Sequence, residues 1–247
     1  MRVLLTRPQA QTEELGAVLK RQGIEWLGEP LLRIVPVSWS PDVLAGRQAL
    51  MLTSANAARE FLRIHGVRRD MPIYAVGPDT ATPLLAEGFS NVQAADGTAV
   101  SLIGYVRRHA DPHAGPLLYL SGLNITLDLA ASLAPAGLAA DRVVVYRAFA
   151  AERLSMKVRR ELSQERVNAA VFLSARTAAI FCSLVIASGI VSACACMTAV
   201  AISAKVAEAL RPAGFGQVVV SKTPSIDGIV DAVLHVAAGM PKVRREG

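Results

Sequence analysis

The sequence predicts an α/β fold in two similar halves, each a parallel sheet covered by helices. Three observations predict it. First, the apolar run Leu50-Met51-Leu52 breaks at Thr53-Ser54 and gives way to Ala57, Ala58 and Phe61 at helical spacing. That is a buried strand delivering the chain to a helix N-cap, where a Ser or Thr oxygen accepts a free backbone N–H. Second, the pattern recurs at 169–181. Ala49, Ser54, Ala55, Ala58 and Phe61 are answered by Ala169, Ser174, Ala175, Ala178 and Phe181 at one constant offset. Third, the composition is 52% hydrophobic but only 5% aromatic, with many Ala and Val, which suits close helix–sheet packing. Strands alternating with helices imply parallel sheets joined by right-handed crossovers.

The elements follow in order. Residues 2–6 are continuously apolar, as a central parallel strand requires. Thr6-Arg7-Pro8 ends it, and Pro8 opens a helix from about Gln9 to Gln22 with Leu15, Val18 and Leu19 inward and Gly23 as its stop. A strand near Ile24–Leu27 follows. Leu31–Val37, bounded by Pro30 and Pro36, reads as an extended connector. The organising strand and helix run to about His65. Ile73–Val76 is a strand ending at Gly77-Pro78-Asp79-Thr80-Ala81, and its helix stops at Gly88. A short strand around Val92 and a helix over 99–109 close the first half. The second half opens with a strand over Leu117–Leu120 that stops at Ser121-Gly122, then a helix to about Leu133. Arg142–Phe149 is extended, and a charged helix spans about Glu152–Gln164. The echoed strand and helix come next, then a strand over Ala199–Ile202 ending at Ser203. A helix to Leu210, a strand over Val218–Val220 and a helix over Ile226–Val236 complete the chain, and the tail from Lys242 is expected to fray.

Composition narrows the function. The formal net charge of +6 favours an anionic partner. The basic residues are dispersed rather than clustered with stacking aromatics, which argues against nucleic acid. Cys182, Cys194 and Cys196 read as buried reduced thiols, not a disulfide framework or a metal site. The chain from Thr177 to Ala204 has no charged residue, but its Ser, Gly and Thr content and its soluble echo make it buried helix, loop and strand rather than a membrane span. Arg2 followed at once by Val3-Leu4-Leu5 reads as a strand, not a secretory leader.

In open α/β sheets the ligand lies beyond the carboxyl ends of the strands. The turns at Thr6, Ser54, Gly77, Ser121, Ser174 and Ser203 all sit there. They are rich in small residues and free helical N–H groups, which bind carboxylate or phosphate. There is no Gly-x-Gly-x-x-Gly, no P-loop and no Gly-x-Ser-x-Gly elbow. The four histidines are scattered at helix ends and loops. Ser54 and Ser174 have no paired base in the pattern, so both read as N-caps. What remains is a cleft that binds an anion through turns and uses little acid–base machinery.

These residues resemble the uroporphyrinogen-III synthase family. The resemblance rests on Leu5-Thr6-Arg7-Pro8, Leu52-Thr53-Ser54-Ala55-Asn56-Ala57, Ala75-Val76-Gly77-Pro78-Asp79-Thr80-Ala81, Leu120-Ser121-Gly122, Val145-Tyr146-Arg147 and Phe172-Leu173-Ser174, in the family's order over most of the chain. It implies two flavodoxin-like domains joined by a two-stranded connector, one of residues 1–36 plus 149–247 and the other of 37–148. The first strand-helix-strand of each half is then exchanged. It also implies the reaction: linear hydroxymethylbilane loses water and closes to uroporphyrinogen III with its last pyrrole ring inverted, without metal or cofactor.

Further expectations are a cytoplasmic monomer, a transient contact with hydroxymethylbilane synthase and, because a two-domain cleft has movable linkers, closure of the domains over the cleft. It matches Tyr146 to a tyrosine on the returning connector and Thr80 to a threonine of a Gly-x-x-Thr-Ala turn, the two candidates for chemical assistance. Candidates for holding the substrate's eight carboxylates are Thr6, Arg7, Ser54, Asn56, Gly77, Ser121, Gly122, Arg147, Ser174, Arg176, Ser203 and Lys205. The chain departs from the family pattern at Ser203-Ala204-Lys205-Val206-Ala207, where many members repeat Gly-x-x-Thr-Ala. The competing reading is a non-catalytic two-lobed protein that holds an anionic small molecule.

Overall fold

Apolar runs too short for a helix become buried strands, and after Leu50–Leu52 and Ala169–Phe172 a serine, Ser54 or Ser174, caps the helix that follows. The structure is a computed structural model and describes residues 1–239; the tail from Lys242 lies outside them. In chain order it comprises β1 (Arg2–Leu5), α1 (Gln9–Arg21), β2 (Glu25–Gly28), β3 (Leu32–Pro36), β4 (Leu50–Leu52), α2 (Ala55–Leu62), β5 (Ile73–Ala75), α3 (Pro78–Ala86), β6 (Val92–Ala94), α4 (Ala99–His109) and β7 (Leu117–Gly122). There follow α5 (Leu129–Leu133), β8 (Ala140–Ala150), α6 (Met156–Ser163), β9 (Ala169–Phe172), α7 (Ala175–Ala187), β10 (Thr198–Ala201), α8 (Ala204–Ala209), β11 (Gln217–Val220) and α9 (Ile226–Ala238). The chain divides into two compact units. Among the described residues, one holds Met1–Arg33 and 149–239, and the other is Ile34–Ala148.

The first unit has a parallel five-stranded sheet in the order β11-β10-β9-β1-β2. Read from β2, this is the flavodoxin-like order, second strand, first, third, fourth, fifth. Successive strand residues face opposite sides. Val3, Leu5, Val171 and Val200 pack with Leu15 and Leu19 of α1 and Ile229 and Val233 of α9. Leu4, Ala170, Phe172 and Ala199 pack on the other side with Val158 and Leu162 of α6, Phe181 and Val185 of α7 and Val206 of α8. Gly16 is where α1 meets β2: a Cβ there would lie 2.3 Å from the Trp26 indole.

The second unit carries the sheet β3-β8-β7-β4-β5-β6. With β7 and β8 in the places of β1 and β2, β4, β5 and β6 take those of β9, β10 and β11, so the strand order of the first unit is repeated. Strands β8, β7, β4, β5 and β6 are mutually parallel. Strand β3 lies beside β8, and beyond its end the Val37 N–H donates to the Val145 carbonyl at 2.9 Å. One face packs Leu50, Leu52, Leu118 and Leu120 against Ala57, Ala58 and Phe61 of α2 and Leu84 of α3. The other packs Met51, Leu117 and Tyr119 against Leu102 and Val106 of α4 and Leu129 and Leu133 of α5. The expected class, two flavodoxin-like parallel-sheet domains with internal duplication and a two-stranded connector, is the observed one.

Three local expectations need correction. Strand β7 does not stop at Ser121-Gly122 but runs through them, because β8 continues to pair with both. The helix after it is only Leu129–Leu133. Asp128 supplies the cap by accepting from the Ala131 N–H, which leaves residues 123–128 as a loop. The charged helix begins at Met156, not Glu152, because Ser155 caps it.

The thiols also divide. Cys182 and Cys194 are buried, but Cys196 is exposed at the end of a short 3-10 turn. Burial raises the Cys182 thiol and pushes Cys194 up to about 12. Since the thiolate is the nucleophile, iodoacetamide at about pH 8 is expected to label Cys196 alone in the native protein. All three should react in denaturant, and peptide mass mapping would show it. Among the described residues no helix is long and apolar enough to cross a membrane, so the uncharged 177–204 stretch is the α7-to-β10 packing seen here.

Candidate functional site

In the second unit the strand order reverses between β4 and β7, and such a reversal opens a crevice at the carboxyl ends of the strands. Thr53 and Ser54 follow β4 at that point. Ser54 is extended (φ −157°) and caps α2, accepting from the Ala57 N–H at 3.1 Å. Its hydroxyl also lies 3.1 Å from the Tyr146 hydroxyl. Beside it the Thr53 hydroxyl is 2.9 Å from the Tyr119 phenol, on β7. Two adjacent strand-end hydroxyls therefore each hold a tyrosine. A cavity of about 310 Å³ opens here, with Ser54, Gly97, Tyr119, Gly122, Asn124 and Tyr146 in its wall.

Tyr146 reaches this place through an irregularity in β8. Ser121 pairs with Val144, but Gly122 pairs with Tyr146, so one extra residue is inserted. Val143, Val145 and Tyr146 consequently all pack toward the α2 face, where strict alternation would turn Tyr146 to the opposite side. Gly122 makes room for it. A Cβ at Gly122 would stand 2.6 Å from the phenol ring carbon that carries the hydroxyl. Burial pushes the Tyr119 phenol up, against the opposing hydrogen bond from Thr53 and the nearby charge of Arg142, so Tyr119 stays neutral and able to donate.

The other candidates of this unit stand as follows. The Ser121 hydroxyl is buried and donates to the Gly122 carbonyl at 3.0 Å. Gly77 is extended, and a Cβ there would sit 3.0 Å from the Gly97 Cα, so the turns after β5 and β6 touch through two glycines. Thr80 is buried in the first turn of α3, its N–H donating to the Gly77 carbonyl at 3.0 Å. Asn56 is half-buried in the first turn of α2, and Arg147 is exposed on β8.

In the first unit the reversal falls between β1 and β9, and Thr6 and Ser174 follow those strands. Thr6 is buried and donates to the Val171 carbonyl at 2.8 Å, tying the two strand ends together. Half-buried Arg7 donates through Nε to Gln11 at 3.1 Å. Ser174 repeats Ser54: φ −150°, with the Thr177 N–H at 3.1 Å. Its hydroxyl meets Thr177 Oγ1 at 2.9 Å, where Ser54 meets a tyrosine. Arg176 and Lys205 are exposed in first turns of α7 and α8. Ser203 caps α8 through its carbonyl alone, 3.0 Å from the Ala207 N–H.

Sequence reasoning missed Tyr119, Thr53 and Arg142. A tyrosine in the middle of Leu117-Leu118-Tyr119-Leu120 was the available signal, since a buried phenol needs a partner. Among the described residues no group of three or more His, Cys, Asp or Glu is placed to hold a metal ion.

Two parallel sheets of one strand order, with serine caps at both reversals and a tyrosine on one of them, define a duplicated flavodoxin-like α/β protein. The family model for uroporphyrinogen-III synthase HemD (HEM4) matches residues 13–231, and the chain belongs to that family of enzymes of tetrapyrrole synthesis. Among solved structures it resembles the uroporphyrinogen-III synthetase of Helicobacter pylori at 19% identity, over 96% of this chain and 100% of that one, with a TM-score of 0.61. It also resembles a mutant uroporphyrinogen III synthase of the extremely thermophilic bacterium Thermus thermophilus at 18% identity, over 97% and 100% of the two chains, with a TM-score of 0.55. At these identities the likeness is one of fold. No curated protein sequence matches the chain.

Proposed function

We infer that this chain is a cyclising lyase that closes linear hydroxymethylbilane to uroporphyrinogen III. The terminal hydroxyl departs as water, a carbon–carbon bond closes the ring, and the last pyrrole is inverted. No electron leaves or enters, so neither oxidant nor reductant is consumed. The observation that carries the reading, beside family membership, is the Tyr146 phenol held by Ser54 at the strand reversal of the second unit. In its proposed role the phenol donates a hydrogen bond to the departing hydroxyl, and Ser54 keeps the ring in place.

The substrate closes unaided to the uninverted isomer, so the protein's main task is to place the chain ends for the inverted closure. Its eight carboxylates would be met by helix N–H groups at the caps and by Arg7, Arg147, Arg176 and Lys205. A hydrogen bond to a charged group contributes roughly 1.5–3 kcal/mol, so several suffice. Thr80, buried in the first turn of α3, is the second candidate for chemical assistance. The proposal includes a cytoplasmic location and delivery of the unstable substrate from hydroxymethylbilane synthase. The test is a coupled assay in which porphobilinogen and a deaminase generate the linear tetrapyrrole, followed by oxidation and separation of the porphyrin isomers. Isomer III above the enzyme-free control supports the lyase. Isomer I alone, from folded protein, rejects it.

A further inference from the structure

Arg142 stands on β8 opposite Tyr119, four residues before Tyr146. Its half-buried guanidinium makes three hydrogen bonds to the end of β7: Nε to the Ser121 hydroxyl at 2.8 Å, and one Nη to the carbonyls of Gly122 at 2.8 Å and Leu123 at 2.7 Å. The Ser121 hydroxyl in turn donates to the Gly122 carbonyl. The Leu123 N–H then donates to the Tyr146 carbonyl at 2.9 Å, closing the irregular register on the β8 side. The side chain thus fastens the end of β7 that lies opposite the extra residue of β8, the residue that decides which face Tyr146 occupies. Charge-assisted donors to backbone carbonyls are the strong kind, and a planar guanidinium holds several at set angles where an ammonium cannot.

We propose that Arg142 is a positioning residue for Tyr146: it clamps Ser121, Gly122 and Leu123 so that the inserted residue of β8 stays in register and the phenol stays on Ser54. This rests on the reading that Tyr146 assists the chemistry. A bulge is a local, low-cost place for a strand to slip, so one side chain fastened across it has leverage over the aim of the next residue. Arg142 itself touches no substrate in this account. Three of its five N–H donors are committed to the Ser121 hydroxyl and the Gly122 and Leu123 carbonyls.

The experiment uses four full-length proteins: wild type, Arg142→Met, Tyr146→Phe and the double variant. Turnover comes from the coupled isomer assay and the exchange rate of the Leu123 amide from NMR. Arg142→Met is expected to lower kcat about 10-fold with KM little changed, the size of loss typical when a positioning contact is removed. The Leu123 amide should exchange at least about 10-fold faster while amides of β4 and β5 do not change, which marks a local opening and not a global one. The double variant should be no slower than Tyr146→Phe, since both changes disable one device. Arg142→Lys should recover part of the turnover. Losses that multiply in the double variant, or a Leu123 amide unchanged by Arg142→Met, overturn the proposal. If Tyr146→Phe itself turns over at the wild-type rate, the role given to Tyr146 falls separately, and the amide exchange still decides whether Arg142 holds the bulge.

Discussion

Tyr146→Phe is expected to lower kcat about 100-fold, the lower range for loss of a group that hands a proton to a leaving atom, with KM within about twofold. The geometry sets both halves of that expectation. Removing the hydroxyl leaves the ring in its place against Gly122 and the α2 face, so the cavity wall keeps its shape. What is lost is one donor in the wall of the cavity and one hydrogen bond to Ser54. That bond is part-buried and contributes about 1 kcal/mol, too little to unfold the unit. A fall in kcat alone therefore reports chemistry. A rise in KM alone would mean that the phenol holds substrate rather than assists it. Unchanged kcat and KM would make Tyr146 a packing residue of β8, and the catalytic assignment would be withdrawn. Ser54→Ala removes both functions of Ser54 at once: the cap of α2, at about 1 kcal/mol, and the partner of the Tyr146 hydroxyl, while the ring stays packed against Gly122.

Much of this fold was legible because its signals are local. Leu50-Met51-Leu52 before Ser54, and Ala169-Ala170-Val171-Phe172 before Ser174, are short apolar runs ending in caps, and both became buried strands with the same cap geometry. The parallel class and the duplication followed from them. The errors fell where the decisive contact is distant in sequence. Nothing in Ser121-Gly122 says that the strand continues; the partner β8 says so, from about twenty residues away. The cap at Asp128 was hidden by the apolar Leu127 and Leu129 around it, which read as helix already begun. At the site, Tyr146 and Ser54 were each picked out, but their 3.1 Å contact depends on an inserted residue in β8, and an insertion has no composition. Arg142 was passed over for the same reason. Its partners are a hydroxyl and two carbonyls, and backbone carbonyls exist at every position.

Glu29→Ala is expected to destabilise the first unit by about 2 kcal/mol, since it removes a buried carboxylate that accepts two charge-assisted hydrogen bonds from Ser155. The Glu29 carboxylate is buried just after β2, where its own N–H donates to the Leu5 carbonyl at 2.9 Å. It accepts the Ser155 N–H at 2.6 Å and the Ser155 hydroxyl at 2.7 Å, while that hydroxyl accepts the Val158 N–H at 3.2 Å. One side chain thus finishes the cap of α6 and places a negative charge at its N-terminus, where the helix dipole favours it. The two residues are 126 apart in sequence. In the first unit this matters more than the energy of one contact, because the unit is assembled from both ends of the chain. Strand β1 has β9 on one side and β2 on the other, so neither segment completes the sheet alone. Trp26 belongs to the first unit and Trp39 to the second. In a Trp39→Phe background the Trp26 fluorescence therefore follows the first unit through urea unfolding. Glu29→Ala should lower the midpoint with the slope unchanged, and Glu29→Gln, which keeps one acceptor, should lie between it and wild type. An unchanged midpoint would mean that the packing of Leu154, Val158 and Leu162 holds α6 without the carboxylate. The joining of the two distant segments would then rest on the sheet and its apolar faces alone.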